Sequence, residues 1–128
     1  MSANRPLSPH LHIYRPQITS VLSIMHRITG LLLCLGAVLL IAWIGTTAAG
    51  PEWHACYLEL VDLLLGRLLL LGLVFSLLFH LCNGVRHLFW DMGKGFDLET
   101  TTVTGWAVLV LSLLGTLYFA YRLFGGAP

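Results

Sequence analysis

Charge is what this 128-residue chain has least of. Only 10% of its residues are charged, against 57% apolar, where soluble domains carry about 25% charged residues. From Ile28 to Gly50 and from Val103 to Tyr121 there is no charged side chain, and from Leu63 to Asn83 only Arg67 and His80 interrupt the apolar run. An ordinary water-soluble domain is excluded. Cys34, Cys56 and Cys82 have neither CxxC nor CxxCH spacing, which excludes a cysteine-ligated zinc or iron–sulfur site and covalent c-type haem. A net charge of +1 supplies no basic surface for nucleic acid. No segment alternates with period 2, which argues against barrel strands. The first apolar run starts late and is too long for the core of a cleavable signal, and no long Arg/Ser-rich import presequence precedes it. The start Met1-Ser-Ala-Asn-Arg-Pro reads as that of a complete bacterial product.

What is present is hydrophobic length. A membrane-crossing helix needs about 20 apolar residues, and each of the three runs supplies them. The expectation is an all-α membrane protein, a single membrane-anchor domain over 1–128 with helices at about 21–45, 62–89 and 103–124. Residues 1–20, with Pro6, Pro9 and Pro16, read as an extended cytoplasmic surface segment, with Tyr14 as an interfacial anchor and another polypeptide as its partner. Thr19 or Ser20 is the expected N-cap of the first helix. Thr46 to Glu59 reads as a loop turning at Gly50-Pro51, with His54 exposed and idle. Gly93-Lys94-Gly95 reads as a tight turn with positive φ angles. The third helix has no buried ionisable group, and Gly105, Ser112, Gly115 and Thr116 suit helix packing. Cys34 and Cys82 read as small packing residues.

Orientation follows from the basic residues. Arg5, Arg15, Arg27, Arg86 and Lys94 lie at one side and Arg67 and Arg122 at the other, which puts the N-terminus and the second loop in the cytoplasm and the C-terminus in the periplasm.

The chemistry concentrates in two stretches. Ser23, His26 and Arg27 share one face at the start of the first helix, and Gly30 continues that face. On the second helix His80, Gly84 and His87 fall at i, i+4 and i+7, ahead of Asp91. Ionisable groups at membrane depth cost roughly 3 kcal/mol on insertion scales and seldom stand without a partner or a task. His80 lies about 10 Å deeper than His87. A neutral imidazole there needs a hydrogen-bond acceptor or a metal. Haem iron commonly takes histidine, and Gly84 leaves room for a porphyrin edge, so haem is favoured; a satisfied buried histidine is the alternative. No second histidine lies as deep, so a six-coordinate haem would take its other ligand from a partner chain. The chain then reads as half of a haem-binding heterodimeric helix bundle. Arg27, His26, Arg86 and His87 are the cations available for haem propionates. His10, His12 and His54 carry no such argument.

Arg5-Pro-Leu-Ser-Pro-His10, Ser23-Ile-Met-His-Arg-Ile-Thr-Gly30 and His80-Leu-Cys-Asn-Gly-Val-Arg-His-Leu-Phe-Trp-Asp-Met-Gly93 together resemble the cytochrome b membrane-anchor large subunits of succinate dehydrogenase (respiratory complex II), with an alphaproteobacterial or mitochondrial cast. The resemblance implies a second small three-helix anchor subunit, an iron–sulfur subunit and a flavoprotein subunit holding covalent FAD. It implies ubiquinone as electron acceptor in a bacterial inner membrane, within the tricarboxylic acid cycle and respiratory chain. By motif position, His80 would be the axial ligand of haem b, with Ser23 and Arg27 at the quinone head group. His26 and His87 would lie near the propionates, and Asp91 near the quinone entrance or proton path. The chain alone would not catalyse succinate oxidation. An anchor of a quinol:fumarate reductase, or a structural anchor without redox role, are the alternatives.

Overall fold

The computed structural model describes residues 16–125; of the expected extended segment of residues 1–20, residues 1–15, with Tyr14, lie outside them, and Ile18 to Ser20 are already helical. The described chain runs α1 (Ile18–Ala49), α2 (Pro51–Asp62), α3 (Leu64–Asp91) and α4 (Leu98–Phe124), with no strand among the described residues. Helices α1, α3 and α4 are each long and apolar enough to cross a bilayer. The protein is a multi-pass membrane protein.

Every helix boundary except the end of α4 differs from expectation, α4 itself starting at Leu98 rather than 103, and two of the differences have local reasons. Helix α1 is capped at Gln17, without a side-chain bond; it starts as soon as the chain clears Pro16, so Thr19 and Ser20 fall inside its first turn. The expected loop after α1 holds a helix of its own. Gly50, at φ 124°, breaks α1, and Pro51 opens α2 with Glu52 in its first turn. Proline is preorganised for that first position and an acid there faces the positive end of the helix dipole. Extended Leu63 then separates α2 from α3. Across that bend Arg67 donates to the Asp62 carboxylate from Nε (3.0 Å) and Nη2 (2.6 Å) and to the Asp62 carbonyl, so Arg67 is ion-paired. Gly66 fits beneath the bend because an added Cβ would lie 2.5 Å from the Val61 carbonyl. His54 is half-buried and shares a hydrogen bond with Thr47 (3.2 Å), tying α2 to the end of α1.

The Gly-Lys-Gly turn forms as expected, with Gly93 at φ 74° and Gly95 at φ 77°. It returns the chain so that α4 packs along α3. Asp97 caps α4, accepting from the Thr100 amide at 2.9 Å.

Packing is the reverse of a soluble core. Leu22, Phe79 and Val108 are the buried apolar residues, while Thr29, Ser76, Asn83, Arg86, Thr101 and Ser112 are also buried and most leucines face outward. Lipid is as apolar as leucine, so helices in it associate through small side chains and hydrogen bonds. Gly105 meets Leu22 and Ile18 of α1, Gly115 meets Leu78 of α3, and Gly36 of α1 meets Leu73 of α3. The packing role expected of α4 is thus realised at Gly105, Ser112 and Gly115. Cys82 packs against the core. Cys34 does not: it is exposed.

Candidate functional site: a histidine cluster between α1 and α3

Helix α3 brings His80 against α1 about 16 Å from the Asp91 end, at ~1.5 Å per residue. Its Nδ1 lies 3.1 Å from the carbonyl oxygen of His26. A carbonyl only accepts, so Nδ1 donates and carries the ring proton. Nε2 is therefore left with a bare lone pair, the form in which a neutral imidazole binds metal. The Thr29 hydroxyl donates to the same carbonyl at 3.0 Å and sits 3.3 Å from His80 Nδ1. Two donors on one carbonyl fix the ring plane. Gly30 permits the approach: a Cβ there would stand 3.0 Å from His80 Cε1.

The His26 ring stacks on His80, centroids 3.8 Å apart and planes within 10°. The His87 ring lies with its centroid 5.2 Å from that of His26, at a 52° tilt. Trp90 closes the cluster edge-on to His87 at 5.0 Å. His26 Nδ1 is buried without a hydrogen-bond partner. Buried polar atoms seldom go unpaired, and one that does calls for a group from outside. Gly84 borders this cluster: its added Cβ would touch His26 Cε1 at 4.0 Å. The room expected there for a cofactor edge is flanked by the His26 ring. The tight glycine is Gly30.

Arg86 has a different role from the one expected. The residue is only 6% exposed. Nε donates to Thr104 Oγ1 (3.1 Å), Nη2 to the Thr101 carbonyl (2.9 Å) and Nη1 to Asn83 Oδ1 (3.4 Å). The Trp90 ring lies beneath it, 4.1 Å from Cζ, a cation–π contact of about 2 kcal/mol when desolvated. Arg86 therefore joins α3 to α4 and is not free to meet a propionate. The groove of about 660 Å³ that it lines with Leu81, Val85, Phe89 and Lys94 runs between α3 and α4, and none of the three clustered histidines lines it.

The remaining site candidates are not drawn into this network. Ser23 is half-buried three residues before His26, Arg27 is exposed beside it, and Asp91 is exposed at the end of α3. Among the described residues Arg27 makes no ion pair, and no group of three or more His, Cys, Asp or Glu is arranged to hold a metal ion by itself. His80 offers its bare Nε2, and any further ligands are left to come from elsewhere.

Comparison with known proteins decides the family. Residues 1–119 match the family described as succinate dehydrogenase/fumarate reductase transmembrane subunit. The chain is 43% identical over 113 residues to the succinate dehydrogenase cytochrome b556 subunit of Rickettsia prowazekii, covering 88% of each. It is 39% identical over 120 residues to the b556 subunit of Paracoccus denitrificans, covering 91% of this chain and 92% of the relative. Against the mitochondrial b560 subunit of Sus scrofa it is 41% identical over 126 residues, covering 94% and 72% respectively. The chain belongs to the succinate dehydrogenase/fumarate reductase transmembrane subunit family.

This is the family the three sequence motifs resemble. Within this transmembrane subunit, sequence reasoning passed over Thr29, which shares the His26 carbonyl with His80, and Asn83, fully buried beside Arg86 and His87. A signal for both existed. Each is a polar residue on an otherwise apolar helix face, one turn from a histidine, and such residues need partners at membrane depth.

Proposed function

We propose that this transmembrane subunit is the haem-b-binding anchor of a succinate:ubiquinone oxidoreductase and forms part of its ubiquinone site. The observation that carries the haem reading is the His80 Nδ1 bond to the His26 carbonyl, which leaves Nε2 bare at mid-helix depth. The residues fit the group. His80 Nε2 would hold the iron. His26, whose Nδ1 has no partner within the chain, would face a propionate with His87 and exposed Arg27. A second ligand would come from a second small three-helix anchor subunit, which would cover α1 at its exposed Leu31, Val38 and Ile41. Bound haem would supply a one-electron store beside the quinone pocket.

In the quinone pocket Ser23 donates its hydroxyl to a quinone carbonyl, and the Arg27 cation stabilises negative charge developing on that oxygen as electrons arrive. Asp91, exposed at the same end, borders the entrance or proton path. An iron–sulfur subunit and a flavoprotein with FAD would dock on this face and supply the electrons. The N-terminus and the Gly93–Gly95 turn would then be cytoplasmic, and the C-terminus periplasmic, in a bacterial inner membrane. Residues 1–128 would form one anchor domain. Relatives named for succinate dehydrogenase favour the direction from succinate to quinone.

The test is the reduced-minus-oxidised absorption spectrum of the assembled complex carrying His80→Tyr. Loss or marked change of the b-type bands is expected. An unchanged spectrum would remove His80 as the ligand.

A further inference from the structure

Asn83 has no exposed surface, so both ends of its amide must find partners inside the protein. On one side lies Arg86 Nη1, 3.4 Å from Asn83 Oδ1; on the other lies His87 Nε2, 3.3 Å from Asn83 Nδ2. The order of these contacts has a single consistent solution. A guanidinium has donors and no acceptor, so the atom facing it must be the amide oxygen. The reverse placement would set N–H against N–H. With the oxygen on Arg86, the amide NH2 faces His87, and Nε2 must accept. The single proton of the neutral ring then sits on Nδ1. Arg86 is itself held from α4, through Thr104 Oγ1 and the Thr101 carbonyl, and cannot turn away.

We infer that Asn83, oriented by Arg86, is a positioning residue that fixes His87 in its Nδ1–H tautomer. The chain of constraint starts on α4, passes through a buried cation and ends on a ring 5.2 Å from His26. It gives the Arg-His pair of the second motif a division of labour: the arginine sets the amide, and the amide sets the histidine. Resting on the haem reading above, the consequence is that His87 meets a propionate as a neutral donor through Nδ1. The tautomer itself does not depend on that reading.

Magic-angle-spinning nitrogen NMR of the whole complex, with 15N-labelled histidine in lipid, reads the tautomer directly. His87 signals are assigned by their disappearance in His87→Gln. In the native protein the His87 Nδ1 signal is expected upfield as a protonated nitrogen and Nε2 downfield as a bare one. In Asn83→Asp the carboxylate accepts from the ring as well as from Arg86, and the proton is expected to move to Nε2. A native His87 protonated at Nε2 overturns the inference, and so does an Asn83→Asp spectrum identical to the native one. Should Asn83→Asp fail to assemble, the native spectrum alone still decides. Absorption spectra of the same samples keep the two readings apart: Nδ1–H at His87 without b-type bands would remove the haem and leave the tautomer lock standing.

Discussion

Gly30 has space for a hydrogen and little more. A methyl group there would lie 3.0 Å from His80 Cε1, tighter than ordinary carbon contact, so the imidazole must shift by a few tenths of an ångström. That shift strains the 3.1 Å bond from Nδ1 to the His26 carbonyl, the contact that aims Nε2. Overpacking of this kind costs about 1–3 kcal/mol. Gly30→Ala is therefore expected to weaken or shift the b-type bands and to lower thermal stability by a similar amount. Gly45→Ala, where an added carbon meets nothing within 4 Å, is expected to leave both unchanged. Equal spectra for the two variants would mean that ring placement is not what Gly30 provides. At this same scale His80 and His26 were legible in the sequence from depth and spacing. Thr29 was signalled only as a polar residue one turn from His26; the carbonyl it shares with His80, 51 positions away, was not legible.

Among the elements, α4 shows how a loop sets a helix. Gly93 and Gly95 turn the backbone, Trp90 Nε1 and Thr101 Oγ1 both donate to the Gly95 carbonyl at 3.1 Å, and Asp97 caps the helix. Hydrogen bonds from Thr100, through its side chain and its amide, hold the Asp97 carboxyl below its ordinary value of 3.8. A carboxyl depressed in the folded state stabilises that state above the unfolded value, and this contribution is lost as pH falls through the folded one. Asp97→Ala is expected to lower the melting temperature at pH 7, and the gap to the native protein is expected to narrow as pH drops below about 4. A gap independent of pH would show that the ionised cap is not responsible. The turn was readable from Gly-Lys-Gly, since positive φ is a local demand. Helix α2 was missed because a proline after a glycine marks a helix start as well as a loop, and only Leu63 and the Asp62–Arg67 pair show where it ends.

For the whole molecule, the decisive feature is that apolar side chains face outward while polar ones are buried. On the proposed function the chain would be completed by lipid and partner subunits, and electrons for the quinone site would arrive from those partners. Ser23→Ala and Arg27→Leu are accordingly expected to separate two activities of the assembled complex. Quinone reduction should fall, by about tenfold for the loss of one hydrogen bond to the developing charge and by more for Arg27. Succinate oxidation with an artificial dye acceptor should survive. Both activities falling together, with normal assembly, would refute the quinone assignment. Apolar length by itself determined that this protein crosses a membrane three times, since a bilayer's thickness tests each run separately. The cost of charge at depth likewise singled out His80 and its neighbours. Only tertiary structure decided their partners. Helical spacing shows which residues share a face but not which faces meet, so it could not reveal that His80 is aimed by the His26 carbonyl. Nor could it show that Arg86 turns inward to α4, because that follows from where Thr101 and Thr104 come to rest.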